Sequence, residues 1–210
     1  MKKLKITAVI VTRKNSRRVK NKNTRLFHNK DSLLSLKIKQ LKKIKEINEI
    51  IVGSDDPKAE LIANNLKVRF FKRKKVFCDE RSKSANDMIK NMLGYFTSDY
   101  VIWTHCTNPF INEKVISSAI KKFFRNKNFF FDSLFCVDKL RGHFYSQKTV
   151  PINHNPRSKN HKTAMSLQYL IKDNGSIFIR KFDHMKKDGN FIGKNPMVLE
   201  TDYYRGWDID

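Results

Sequence analysis

The sequence predicts an α/β protein, a mainly parallel sheet with helices on both faces, and three observations carry that prediction. Ile6 to Val11 and Tyr100 to Thr104 are short, apolar, partly β-branched runs that end in polar residues, the pattern of strands buried on both faces. Apolar residues at helical spacing separate such runs. The two kinds of segment alternate from the start of the chain, as in folds built from strand–helix–strand units.

Taken in order, Ile6 to Val11 is the first strand, and Leu34, Ile38, Leu41 and Ile44 mark a helix whose other face is filled with lysines. Ile50 to Val52 forms the second strand, ending at Gly53-Ser54-Asp55, where Asp55 is expected to fix a turn or loop rather than to catalyse. Ala59, Ile62, Ala63 and Leu66 mark the next helix and Val68 to Phe71 a third strand. Met88, Ile89, Met92, Leu93 and Phe96 give a helical stripe in which the methionines are core residues. Tyr100 to Thr104 is another buried strand, and Val115, Ile116, Ala119, Ile120, Phe123 and Phe124 another helix. From 129 to 170 the pattern breaks into short pieces, basic loops and the prolines Pro151 and Pro156, an excursion from the sheet. Ser176 to Arg180 reads as a return strand after a turn at Asp173-Asn174-Gly175.

A chain of 210 residues with 40% hydrophobic residues can fill one compact domain and does not need two. No apolar run is long enough to span a bilayer, and Met1 to Thr12 alternates charged with apolar residues, unlike a signal peptide, so a cytoplasmic protein with no membrane partner is expected. Cys78, Cys106 and Cys136 are odd in number and widely spaced, which favours reduced, mostly buried thiols over disulfides or zinc. The net charge of +24 suggests a polyanion partner, but the lysines are spread along the chain rather than gathered in a stripe. A solvated basic surface with no specific nucleic-acid partner is therefore expected, one that would still speed the arrival of small anionic ligands. His154 and His161, seven apart, follow no metal-ligand spacing and read as surface histidines.

In open α/β sheets ligands bind where loops leave the carboxyl ends of strands. The loop after the first strand, Thr12-Arg13-Lys14-Asn15-Ser16-Arg17-Arg18, followed by Lys22-Asn23, offers guanidinium forks, a hydroxyl and backbone N–H groups to phosphate oxygens. It has no glycine, so it is neither a Walker loop nor a dinucleotide fingerprint. On composition alone it reads as a basic surface loop only.

The strand followed by Arg13-x-x-Ser16-Arg17 and Lys22-Asn23 resembles the N-terminal signature of the acylneuraminate cytidylyltransferase family, whose members form CMP-sialic acid and related CMP-nonulosonates. Further segments are similar in the same order: Ile50 to Asp55; Arg73 with Asp79 and Ser84; His105-Cys106-Thr107-Asn108-Pro109; Ile152-Asn153-His154; Gln168; Asn174 to Ile179; Ile192-Gly193-Lys194; and Trp207-Asp208-Ile209-Asp210. The resemblance implies a Rossmann-like fold and a Mg²⁺-dependent nucleotidyltransferase that joins CMP from CTP to an acidic 2-keto sugar. It implies nucleotide contacts from Arg13, Asn15, Ser16, Arg17, Lys22, Asn23, Arg73, Ser84, His105 and Thr107, and sugar contacts from Asn108 and Gln168. It further implies metal ligation by Asp208 and Asp210, catalytic roles for Arg13, Arg17 and Asp210, and a homodimer in which the 129–170 excursion reaches the neighbouring subunit. The rings of Phe129, Phe130, Phe131, Phe144 and Tyr145 support an interface there.

The sequence also departs from the family pattern. Thr12 stands where the family usually has Ala, Arg17 where it has Lys, and His105 and Asn108 where it has Gln and Ser. The family continues into a terminal helix after the Asp-x-Asp motif, whereas this sequence stops at Asp210. Without the resemblance, Asp208 and Asp210 would simply end a strand, and His105 is as well read as a structural histidine. Three other functions remain as alternatives: a nucleotidyltransferase for another base or sugar, a glycosyltransferase with an Asp-x-Asp metal motif, and a basic nucleic-acid-binding protein.

Overall fold

The computed structural model describes residues 4–14, 16, 18–79, 81–126, 130–202 and 204–209. Its elements in chain order are β1 Ile6–Val11, β2 Leu26–His28, β3 Asp31–Ser32, α1 Leu33–Lys42, β4 Glu49–Ser54, α2 Pro57–Asn65, β5 Arg69–Lys72, α3 Ala85–Leu93, β6 Tyr100–Thr104, α4 Glu113–Asn126, β7 Ser133–Leu140, β8 Leu170–Lys181, α5 Phe182–Asp188 and β9 Pro196–Glu200. Seven strands form one sheet in the order β5-β4-β1-β6-β8-β7-β9, and β2 and β3 form a separate two-stranded ribbon. β1 pairs in parallel with β4 and β6, β4 with β5, and β7 with β9, while β8 runs antiparallel to both neighbours. The expected α/β architecture is therefore the observed one.

Alternation along the central strands places helices on both faces. In β1, Ala8 and Ile10 belong to one core and Val9 to the other, and in β6 Ile102 and Trp103 divide in the same way. The first core takes Ile38 and Leu41 of α1, Ala59 of α2 and Ile116, Ile120 and Phe123 of α4. The second takes Ile89, Met92 and Leu93 of α3 with Phe182 and Met185 of α5. α1 and α3 each begin at a serine, Ser32 and Ser84, whose hydroxyl accepts the N3 backbone N–H in a capping box. Among the described residues no helix is long and apolar enough to cross a membrane.

Three differences from the sequence reading have physical causes. The expected excursion from 129 to 170 begins only after Leu140, because Ser133–Leu140 pairs in the sheet with β8 and β9. The expected turn at Asp173-Asn174-Gly175 lies inside β8: Phe135 pairs with Phe178 and Val137 with Asp173, so the extra residues form a bulge in which Gly175 takes φ +68°. α5 and β9 had no clear periodic signal, since each is short and gains its stability from packing.

The arm from 141 to 169 contains five Lys or Arg residues, three histidines and no carboxylate side chain. Asn153 ties it together, accepting from Phe144 N and donating to the carbonyls of Gly142 and Gln168. His154 and His161, expected as isolated surface groups, cluster with His143, at ring distances of 4.7 Å from His143 to His154 and 5.1 Å from His143 to His161.

Candidate active site

A cleft of about 900 Å³ opens over the carboxyl ends of β1, β5 and β6. The loop after β1 contributes Arg13, Ser16 and Arg18, and the turn that follows contributes Lys22 and Asn23. That turn is closed by Lys22 N donating to Val19 O and Thr24 N donating to Asn21 O, with Asn21 at φ 54°, a conformation Asn tolerates better than most residues. Asn23 is buried, its carbonyl accepting Leu34 N and its side-chain oxygen accepting from the Cys106 thiol at 3.4 Å.

The cradle is tied to β4. Asp55 Oδ1 accepts Lys14 N at 2.8 Å, and the Thr12 hydroxyl donates to Ser54 Oγ at 2.9 Å. Asp55 thus holds the loop backbone, as expected from its turn position. Buried Arg73 donates to the carbonyls of Thr12 and Phe77, and its Nε has no hydrogen-bond partner. Burial lowers the Arg73 pKa, and Cys78 and Asp55 oppose the drop. Ser84, the N-cap of α3, stands on the opposite wall beside Lys83 and Met88.

The loop after β6 brings His105 and Thr107 to the cleft. His105 is half-buried; burial lowers its pKa, while the Asp208 carboxylate opposes the drop. Asp208 is itself exposed, in the segment that runs beside the loop after β6. It is held there because Ile209 N donates to Thr107 O at 2.8 Å. Phe191 closes the far wall, stacked on Phe178 at 4.6 Å and packed on Trp103.

The structure therefore gathers Arg13, Ser16, Lys22, Asn23, Arg73, Ser84, His105 and Thr107 around one cleft. Asn15, Arg17 and Asp210 lie outside the described residues. Asn108 is buried and does not line the cleft; its amide nitrogen donates to Gly206 O at 3.1 Å and Trp207 O at 3.4 Å, and its side-chain oxygen has no hydrogen-bond partner. Gln168 is exposed on the arm and does not line the cleft. Arg18 and Phe191 line the cleft without having been singled out in the sequence; Arg18 belongs to the basic loop, whereas Phe191 gives no local signal because a long-range ring stack places it.

The thiols are free, and burial pushes those of Cys106 and Cys136 up to about 12. Among the described residues no group of three or more His, Cys, Asp or Glu side chains is arranged to hold a metal. Mg²⁺ needs only one or two carboxylates and completes its shell with water and substrate phosphate, and exposed Asp208, beside the loop after β6, is the residue that would hold it.

Residues 7–198 match the family described as Cytidylyltransferase. The chain belongs to this family. It is 23% identical over 202 residues to a Helicobacter pylori protein named pseudaminic acid cytidylyltransferase and UDP-2,4-diacetamido-2,4,6-trideoxy-beta-L-altropyranose hydrolase. That match covers 94% of this chain and 38% of the relative, so the chain spans well under half the length of that curated protein. Solved structures show the same cytidylyltransferase fold. A CMP:2-keto-3-deoxy-manno-octonic acid synthetase complexed with CTP aligns with TM-score 0.66 and 12% identity, covering 94% of this chain and 90% of that one. The 4-diphosphocytidyl-2C-methyl-D-erythritol synthase of Anaerococcus prevotii aligns with TM-score 0.66 and 12% identity, covering 98% and 90%. A Leptospira borgpetersenii cytidylyltransferase aligns with TM-score 0.56 and 19% identity, covering 88% and 63%.

Proposed function

We propose that this cytidylyltransferase-family chain transfers CMP from CTP to an acidic 2-keto sugar of the sialic-acid-like nonulosonate class and releases pyrophosphate. The observation that carries the reading is the convergence of Arg13, Arg18, Lys22 and Arg73 on one cleft at the carboxyl ends of β1 and β5, a cationic cradle of the size and charge a nucleoside triphosphate needs. Family membership supports cytidine as the base, and the Helicobacter pylori relative supports a nonulosonic acid as the acceptor.

In this reading the anomeric hydroxyl of the sugar attacks the α-phosphorus. The new O–P bond forms as the bond to the oxygen bridging the β-phosphorus breaks, pyrophosphate departs and the hydroxyl proton is released. Catalysis is then largely positioning and charge neutralisation. Arg13 and Lys22 hold the β and γ phosphates against the cradle, while Arg73, Asn23 and Ser84 contact the nucleotide. His105 and Thr107 face the base from the β6 loop, and Asp208 would hold the metal. Mg²⁺ held there would supply charge neutralisation at phosphate and would make the attacking hydroxyl easier to deprotonate. Gln168 and the arm fit a two-fold dimer in which each arm reaches the partner's cleft; exposed Tyr145, Val150, Ile152 and Met165 are the apolar surface such contact would cover.

The test is a pyrophosphate-release screen over four nucleoside triphosphates crossed with sialic, pseudaminic-type and octulosonic acids. Release with CTP and a nonulosonic acid is expected. Activity confined to another base, or to the octulosonic acid, would overturn the assignment.

A further inference from the structure

Lys37 takes no part in the chemistry above, yet it is among the largest fully buried side chains of the protein. It projects from α1 beneath the loop between β6 and α4, where its Nζ donates to Asn108 O at 3.0 Å and to Ile111 O at 2.5 Å. One turn further along α1, Gln40 Nε2 donates to Pro109 O at 3.0 Å. α1 therefore grips three carbonyls from four consecutive positions of one loop.

The other side of that loop holds the end of the chain. Thr107 O accepts Ile209 N, and the Asn108 amide donates to the carbonyls of Gly206 and Trp207. Gly206 is pressed against Asp138 and Asn174 so closely that a Cβ would overlap Asp138 Oδ1. The segment carrying Asp208 thus hangs on the backbone that Lys37 holds. The triphosphate side is anchored elsewhere, by Asp55 and Ser54 on β4 and its loop.

A lysine is an expensive choice for this position. Burial drives its pKa down to about 7, with Cys106 and Glu113 opposing the shift, and Glu113 is itself paired with Lys43 at 3.2 Å. A leucine or methionine would pack in the same space without that cost but would donate nothing to the two carbonyls.

We propose that Lys37 is a positioning residue, which by holding the Asn108 and Ile111 carbonyls keeps the 206–209 segment, and with it Asp208, docked on the loop that brings His105 and Thr107 to the cleft, without touching either substrate. The inference rests on the cytidylyltransferase reading for the use made of Asp208, and on the hydrogen bonds alone for the tether. Gln40 adds a weaker third tie to the same loop.

The experiment uses the full chain and compares Lys37→Met, Asp208→Asn and the double variant by two readouts. The first is hydrogen exchange without substrates: Lys37→Met should exchange at residues 206–209 about tenfold faster, with the amides of β1 and β4 unchanged. The second is the Mg²⁺ dependence of pyrophosphate release. Lys37→Met should raise the half-saturating Mg²⁺ about fivefold while leaving KM for CTP within about twofold, and should add little once Asp208→Asn is present. A general loss of folded protein would lower the rate without moving the Mg²⁺ midpoint. Wild-type exchange at 206–209, or a wild-type Mg²⁺ midpoint, in folded Lys37→Met would overturn the proposal, as would additive effects in the double variant. If Lys37→Met does not fold, Gln40→Leu applies the same tests with smaller expected shifts. If the unmodified chain releases no pyrophosphate with any acceptor, the reaction assignment fails while the exchange readout still decides the tether.

Discussion

Replacing Lys37 by Met should make the stability of this protein diverge from wild type with pH, in a direction set by burial. The folded pKa falls from 10.5 to about 7 because the ammonium is desolvated. Between those values the unfolded chain binds more protons at this site than the folded one, so wild-type stability gains a contribution that grows as pH rises. Below about pH 7 both states are protonated and the full cost is borne; above 10.5 it has been relieved. The slope reaches about 1.4 kcal/mol per pH unit well inside the window and is about half that at pH 7, so raising pH from 7 to 9 should add about 2 kcal/mol to wild type relative to Lys37→Met. Urea titrations of both proteins at half-unit intervals from pH 6.5 to 9.5 measure this, with the other titrating groups cancelling in the difference. The variant also loses two hydrogen bonds, which offsets its curve vertically and leaves the slope untouched. Parallel curves across the window would refute the argument and mean that Lys37 is charged in the folded protein through solvation or a partner.

Three further outcomes follow from the geometry. Arg13→Ala should lower turnover by about 10²-fold or more, as loss of a preorganised donor to developing charge does, and unchanged pyrophosphate release from the folded variant would remove the cradle from the mechanism. Gly53→Ala should destabilise the fold by about 1–3 kcal/mol in thermal or urea unfolding and weaken CTP binding, because the added Cβ would overlap Met92 Sδ and lie 3.1 Å from Arg73 Cδ; wild-type stability and affinity together would contradict it. The arm should loosen in acid: burial and the neighbouring His143 and His161 lower the His154 pKa below 6.5, so arm order is full above that value and is lost as pH falls through the histidine range. Protection factors at 141–169, corrected for intrinsic exchange, that do not change between pH 7.5 and 5 would contradict this.

The primary structure alone determined the α/β class, because Ile6–Val11 and Tyr100–Thr104 are apolar runs of strand length and the helices between them show their periodicity locally. It also determined the cationic loop around Arg13, Lys22 and Asn23, since the residue types that bind phosphate are written consecutively and their place after a first strand sets the end of the sheet at which they emerge. Only the tertiary structure decided what depends on distant partners. Ser133–Leu140 reads as an irregular stretch until β8 and β9 pair with it, and Asp173-Asn174-Gly175 reads as a turn because a bulge and a turn both require the same left-handed glycine. Phe191 becomes a cleft wall through stacking on Phe178, thirteen positions before it. Lys37, one of many lysines on a helix, becomes the support of another loop because helix packing buries it against carbonyls 71 and 74 residues away, a relation that no local pattern encodes.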